Sequence, residues 1–129
     1  MSKTHVEKWD VTLPFKRPPL HANQRLHWAE KARMTVQVRE SAAWLVKQAD
    51  IPACERVRVR LVWMVSDKRR RDPSNVMPTQ KAVVDGLVDA GVVPDDTPEF
   101  VVEDMPVLAM VEKGYEGVLL QLIGEVSAA

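Results

Sequence analysis

The stretch RVRVRLVWMVSDKRRRDPSNVMPTQKAVVDGLVDAG, residues 56 to 91, decides the fold. Its opening alternates: Val57, Val59, Leu61, Trp63 and Val65 share one side of an extended chain, while Arg58 and Arg60 point the other way. This predicts a strand buried on one face, with arginines on a solvent or partner face. From Pro78 the period changes. Proline suits the first turn of a helix, Ala82, Val83, Leu87 and Ala90 fall on one apolar side, and Gly91 supplies the stop. Lys81, Asp85 and Asp89 recur every four residues along the polar flank.

Outward from this unit, residues 6 to 14 read as a first strand with Trp9, Val11 and Leu13 in step, ended by Pro14. Pro18 and Pro19 make the next segment a loop, which carries Lys16, Arg17, His21, Asn23, Arg25 and His27. Leu26 to Asp50 contains neither proline nor glycine, and Ala32, Val36, Ala43, Trp44 and Val46 recur at helical spacings. A long helix is expected there, stopped at Ile51-Pro52. After the acidic turn VVPDDTPEF come a strand near residues 100 to 104 and a last strand over 115 to 126. The order strand, helix, strand, helix, strand, strand predicts an α+β (mixed α/β) domain with a mixed sheet and two main helices. It spans residues 1–129 as one unit. The tryptophans at 9, 28, 44 and 63 are expected in the core.

Composition fits such a domain, with 46% hydrophobic and 28% charged residues. The single cysteine, Cys54, is expected to be a buried inert thiol, and a reducing cytoplasm is the simplest setting. No apolar run reaches the roughly 20 residues of a membrane span, and the start lacks the apolar core of a signal peptide. Net charge is zero, yet residues 1 to 81 hold 17 Lys or Arg against 8 Asp or Glu, and residues 82 to 129 hold 1 against 10. The chain has a cationic portion suited to a polyanion and an anionic portion suited to metal ions, unless the two neutralise each other.

The loop KRRRDPSN, residues 68 to 75, joins these properties. Lys68, Arg69, Arg70 and Arg71 suit a phosphodiester backbone, and they equally describe a solvated surface run. Asp72, Asp95 and Asp96 flank the second helix and are the natural oxygen donors for a hard divalent cation. They meet only if the helix packs across neighbouring strand ends. Lys81 is placed to hold a phosphate oxygen, and its spacing also suits a surface pair with Asp85. Residues 67 to 96, with the arginine-rich loop, Asp72, Asn75, Lys81 within QKAVVDGLVDAG and the closing Asp95-Asp96, resemble the core motif of the RusA-type Holliday junction resolvases. RLHWAEKAR, residues 25 to 33, looks like the opening of that family's first helix.

The resemblance implies a homodimeric endodeoxyribonuclease, dependent on Mg²⁺ with Mn²⁺ as substitute, that nicks opposing strands of a four-way DNA junction during recombination, repair or phage DNA processing. It implies Asp72, Lys81 and Asp96 as catalytic residues, with Asp72, Asp96, Asp95 and Ser74 at the metal. Asn75 would order the loop, and Lys68 to Arg71 with Arg17 and Arg25 would contact DNA. No small-molecule substrate and no membrane are expected. The chain departs from the family at Ser74, where a second aspartate is common, and carries three extra residues between Asn75 and Lys81. The first departure replaces an anionic ligand by a hydroxyl, so the alternative is a weakened or inactive protein that binds branched DNA without cutting it.

Overall fold

The computed structural model describes residues 3–127, which form a mixed α+β domain. Five strands, β1 (Thr4–Thr12), β2 (Arg56–Val65), β3 (Val101–Glu103), β4 (Val107–Met110) and β5 (Gly117–Ser127), build one sheet, and two helices, α1 (Trp28–Gln48) and α2 (Met77–Asp89), complete the domain. A short 3₁₀ turn, Pro73–Val76, leads into α2. β5 runs antiparallel between β1 and β2, while β3 and β4 pair in parallel with the opposite edge of β2.

The alternation of β2 is realised. Val57, Val59, Leu61 and Val65 are buried, Trp63 packs against the core, and Arg56, Arg58 and Arg60 lie on the exposed face. Val118, Leu120 and Leu122 of β5 fill the same layer, closed by Val83 and Leu87 of α2 and by Val38, Ala42 and Val46 of α1. The helices cross where Gly86 approaches α1: a Cβ there would lie 2.5 Å from the Arg39 carbonyl oxygen and 2.9 Å from the Ala42 Cβ. Gly91 ends α2 with a φ of 79°, a left-handed conformation that glycine adopts without steric cost.

Two features depart from the sequence expectations. Val107–Met110 forms a strand that the sequence pattern does not announce. The buried stripe of α1 is Val38, Ala42 and Val46, flanked by Met34 and Leu45, so of the expected set only Val46 is buried. Val36 is exposed, and so are Trp28 and Trp44, at 77% and 61%. The two outer tryptophans are therefore not core residues, whereas Trp9 and Trp63 pack against the core as expected.

The sheet edge contains a gap that positions α2. β3 pairs with β2 up to Val59 and β4 resumes pairing at Val62, which leaves the Leu61 N–H without a strand partner. Gln80, fully buried on α2, fills the interval: its Oε1 accepts from the Leu61 N–H at 3.0 Å and its Nε2 donates to the Asp104 carbonyl at 2.9 Å. A buried amide thus replaces a rung of the ladder and fixes α2 against the middle of β2.

Candidate functional site

β2 delivers Trp63, Met64 and Val65 to one end of the sheet, and the basic loop begins there. The Asp67 carboxylate accepts from the Arg69 N–H at 2.9 Å and pairs with Arg71 Nη1 at 2.9 Å. These contacts, the Arg71 bond first, hold the Asp67 carboxyl below its ordinary range. Arg71 also donates to the carbonyls of Asp67 and Arg69, and its guanidinium lies 5.2 Å over the Trp63 ring centroid. With a side chain only 14% exposed, Arg71 belongs to the loop's own structure. Lys68, Arg69 and Arg70 are exposed, and among the described residues none has a carboxylate within 4.0 Å.

Asp72 precedes the 3₁₀ turn in an extended conformation, and its Oδ1 accepts from both the backbone N–H and the hydroxyl of Ser74, at 3.0 and 2.8 Å. The Ser74 hydroxyl bond, its backbone bond and the nearby Arg70 charge lower the Asp72 pKa, so this exposed group stays ionised well into acid. The Asn75 N–H donates to the Asp72 carbonyl at 3.0 Å, and the Asn75 carbonyl accepts from the Ala22 N–H at 3.1 Å. Asn75 therefore ties the Asp72 turn to the proline-rich loop. Thr79 adds a second tie, its buried hydroxyl donating to the Leu20 carbonyl at 2.6 Å and accepting from the Leu20 N–H at 3.0 Å. Lys81 is exposed near the start of α2, without the ion pair to Asp85 that its spacing allows.

Asp95 and Asp96 lie elsewhere. The Cys54 N–H donates to the Val92 carbonyl at 2.7 Å and the Val57 N–H to the Phe100 carbonyl at 2.8 Å, so the acidic turn sits beside the beginning of β2. Asp72 follows the other end of that strand. α2 spans the interval, and its 13 residues measure about 20 Å at 1.5 Å per residue. Asp95 Oδ1 accepts from the Asp96 N–H at 2.8 Å, and both side chains are exposed. Within one chain the structure does not bring Asp72 together with Asp95 and Asp96. Among the described residues no three His, Cys, Asp or Glu side chains are grouped to hold a metal ion.

The basic end also encloses a half-open cavity of about 520 Å³ between the proline-rich loop and the basic loop. Arg17 lines it together with Lys16, His21, Arg69 and Arg71, whereas Arg25 is exposed outside it. Its floor includes Trp63, with the His21 ring edge-on at 6.4 Å. The sequence did not single out Glu116. Its Oε2 accepts from the Ser66 hydroxyl and its Oε1 from the Gly114 N–H, each at 2.7 Å. Those bonds, the Ser66 hydroxyl first, with Lys16 adding attraction, pull its pKa down to about 2. Ser66 and Glu116 stand 50 positions apart, so no local spacing announces the pair.

Known families and structures add little to this geometry. No family model matches the chain, and no curated protein matches it. A solved HypE–HypF complex shares 11% identity at a TM-score of 0.37, covering 95% of this chain and 33% of that one. E. coli HypE, a hydrogenase maturation protein, shares 6% identity at a TM-score of 0.35, covering 96% of this chain and 32% of its own. The chain thus spans about a third of these proteins. The OmpA-like domain of FopA1 from Francisella tularensis gives 9% identity and a TM-score of 0.28, covering 100% of this chain and 84% of that one.

Proposed function

We propose that this protein is a metal-dependent endodeoxyribonuclease, similar to the RusA-type resolvases, that works as a homodimer on four-way DNA junctions in the cytoplasm of a bacterial or phage-infected cell. The observation that carries the reading is the folded order of the motif. An exposed cationic loop ends in an ionised, solvent-facing Asp72, and α2 then presents Lys81 on its open flank. Among the described residues Lys68, Arg69 and Arg70 have no carboxylate partner and suit phosphate contacts, as do Arg17 and Arg25.

One copy does not fit Mg²⁺, because Asp72 and the Asp95-Asp96 pair stand a helix length apart. A two-fold dimer that sets the start of α2 in one copy against the end of α2 in the other supplies Asp72 from one chain and Asp95 and Asp96 from its partner, twice. Two equivalent centres suit paired incision of a junction that is itself two-fold. Asp72 of one chain with Asp95 and Asp96 of the other would hold Mg²⁺ or Mn²⁺, which would supply positive charge beside the phosphate and acidity to a bound water. Within the protein, Ser74 orients and ionises Asp72, Asn75 pins the turn, and Lys81 offers an ammonium to the phosphate.

Ser74 also favours a second reading. Its hydroxyl and N–H both occupy Asp72 Oδ1, so the position that would add a carboxylate instead engages one of the existing oxygens. On that reading the protein binds branched DNA and does not cut it.

The test is cleavage of a synthetic four-way junction with and without Mg²⁺. Asp72→Asn and Asp96→Asn are each expected to abolish cutting, and mixed dimers of the two variants to recover nicking at one strand, since one of their two centres is intact. Mixed dimers that form but stay inactive would refute the shared centre. Intact but retarded DNA, with cutting acquired by Ser74→Asp, would establish the binding-only reading.

A further inference from the structure

The cavity at the basic end has contents that phosphate-backbone contact does not require. Lys16, Arg17, Arg69 and Arg71 are set against Asp67 and Glu116, an excess of two positive charges before His21 is counted. Arg71 is held in place by the Asp67 carboxylate and by two backbone carbonyls, at 2.9, 3.3 and 3.1 Å, with its guanidinium carbon over the Trp63 ring, 5.2 Å from the centroid. A flat, already ordered guanidinium–indole pair is a platform for an unstacked base, which finds no such plane on an ordinary cationic surface. Glu116 provides the remaining feature. Fixed by Ser66 and Gly114 and ionised down to about pH 2, it can only accept hydrogen bonds, and each of its oxygens keeps a further lone pair.

We propose that this cavity receives one unpaired nucleotide, with its phosphate on Lys16, Arg17 and Arg69, its base against the Arg71–Trp63 platform and an amino group of that base donating to Glu116. A volume of about 520 Å³ lies in the range of sites for small organic ligands. The carboxylate selects chemistry as well as shape. Cytosine, adenine and guanine carry an exocyclic amino donor, whereas unpaired thymine offers only its N3–H, recessed between two carbonyl oxygens that repel a carboxylate, so an acceptor-only group favours the amino-bearing bases. The inference rests on the nucleic-acid half of the proposed function and is independent of metal binding and of cleavage.

The experiment uses fluorescently labelled short duplexes with a single-nucleotide bulge of C or T, beside the fully paired duplex, titrated in moderate salt without divalent metal. Bulged C is expected to bind about tenfold tighter than paired DNA and about fivefold tighter than bulged T. Glu116→Gln should bring bulged C and bulged T within about twofold of each other, because an amide donates as well as accepts. Thermal unfolding of this variant checks that the fold persists. Free dCMP at millimolar concentration should compete weakly, since it lacks the flanking phosphates; competition stronger than that of the bulged strand would assign the cavity to a free nucleotide and overturn the proposal. Equal binding of bulged and paired duplexes, or a C-over-T preference that survives in a folded Glu116→Gln protein, also overturns it. An inactive nuclease that retains these contrasts refutes the cleavage reading alone.

Discussion

Replacing Gln80 with leucine removes the side chain that bridges the gap between β3 and β4 while keeping nearly the same volume. Two backbone partners are stranded: the Leu61 N–H, on a fully buried residue, and the Asp104 carbonyl, on a half-buried one. An unsatisfied buried donor costs about 1–3 kcal/mol, and the carbonyl, which water can reach, costs less. Leucine recovers part of this through apolar burial, so a net loss of about 2 kcal/mol is expected. At an m-value of about 2 kcal/mol/M the urea midpoint should fall by about 1 M. Native-state hydrogen exchange gives the local readout: the Leu61 amide should lose more protection than the other β2 amides. A midpoint within about 0.2 M of the parent, with Leu61 still protected, would refute the assignment of Gln80 as the missing rung.

Other perturbations separate further parts of the structure. Gly86→Ala gains about 1 kcal/mol of helix propensity but drives a methyl into the Arg39 carbonyl, and overpacking of about 1–3 kcal/mol or more should leave it less stable in urea. Trp44→Ser, on the exposed side of α1, should change stability by no more than about 0.5 kcal/mol, which unfolding curves can check. The lowered Glu116 pKa means that this carboxylate favours the folded state above its ordinary range near 4.5, and that the contribution is lost as pH falls from there towards about 2. Ser66→Ala should raise the Glu116 pKa towards the ordinary value in an NMR titration and narrow that acid-sensitive window; an unmoved pKa would show that Ser66 is not its cause.

Where periodicity is local the sequence is readable. The alternation of β2, and the limits of α2 set by Pro78 and Gly91, follow from neighbours within a few residues, and the structure has both. α1 is different because it carries apolar residues on two sides. Ala32, Val36, Ala43 and Trp44 offered as good a stripe as Met34, Val38, Ala42 and Val46. What selects the second is Gly86 on another helix, which admits Ala42 and the Arg39 carbonyl at close range. β4 has only four residues, none fully buried, and its strand character comes from parallel pairing with Val62 to Val65 far away in sequence. The candidate site divides the same way. Asp72, Asn75, Lys81 and Asp95-Asp96 are legible as an ordered motif, but the direction of α2, which parts Asp72 from the acidic pair, is a property of the folded chain.

The unequal charge of the two halves of the sequence can now be placed in space. Internal neutralisation is real but small: among the described residues Arg39 pairs with Asp89 and Arg58 with Asp104 across the divide, while Arg71 pairs with Asp67 inside the basic half. The remaining cations of the proline-rich and basic loops gather at the end of β2, and Asp95, Asp96 and Glu99 lie beside its start. The basic and proline-rich loops attract polyanions at the end of β2, so DNA held there would lie about the length of α2 away from the acidic turn of the same copy. For Asp95 and Asp96 to reach a phosphate held by the basic loop, they must come from a second copy in reversed orientation. That arrangement also sets opposite charges against each other across the dimer. On the proposed function, raised salt should therefore weaken two steps at once, DNA binding and dimer formation. Sedimentation without DNA separates them: a dimer population unchanged between low and high salt would remove the electrostatic basis for a shared acidic centre.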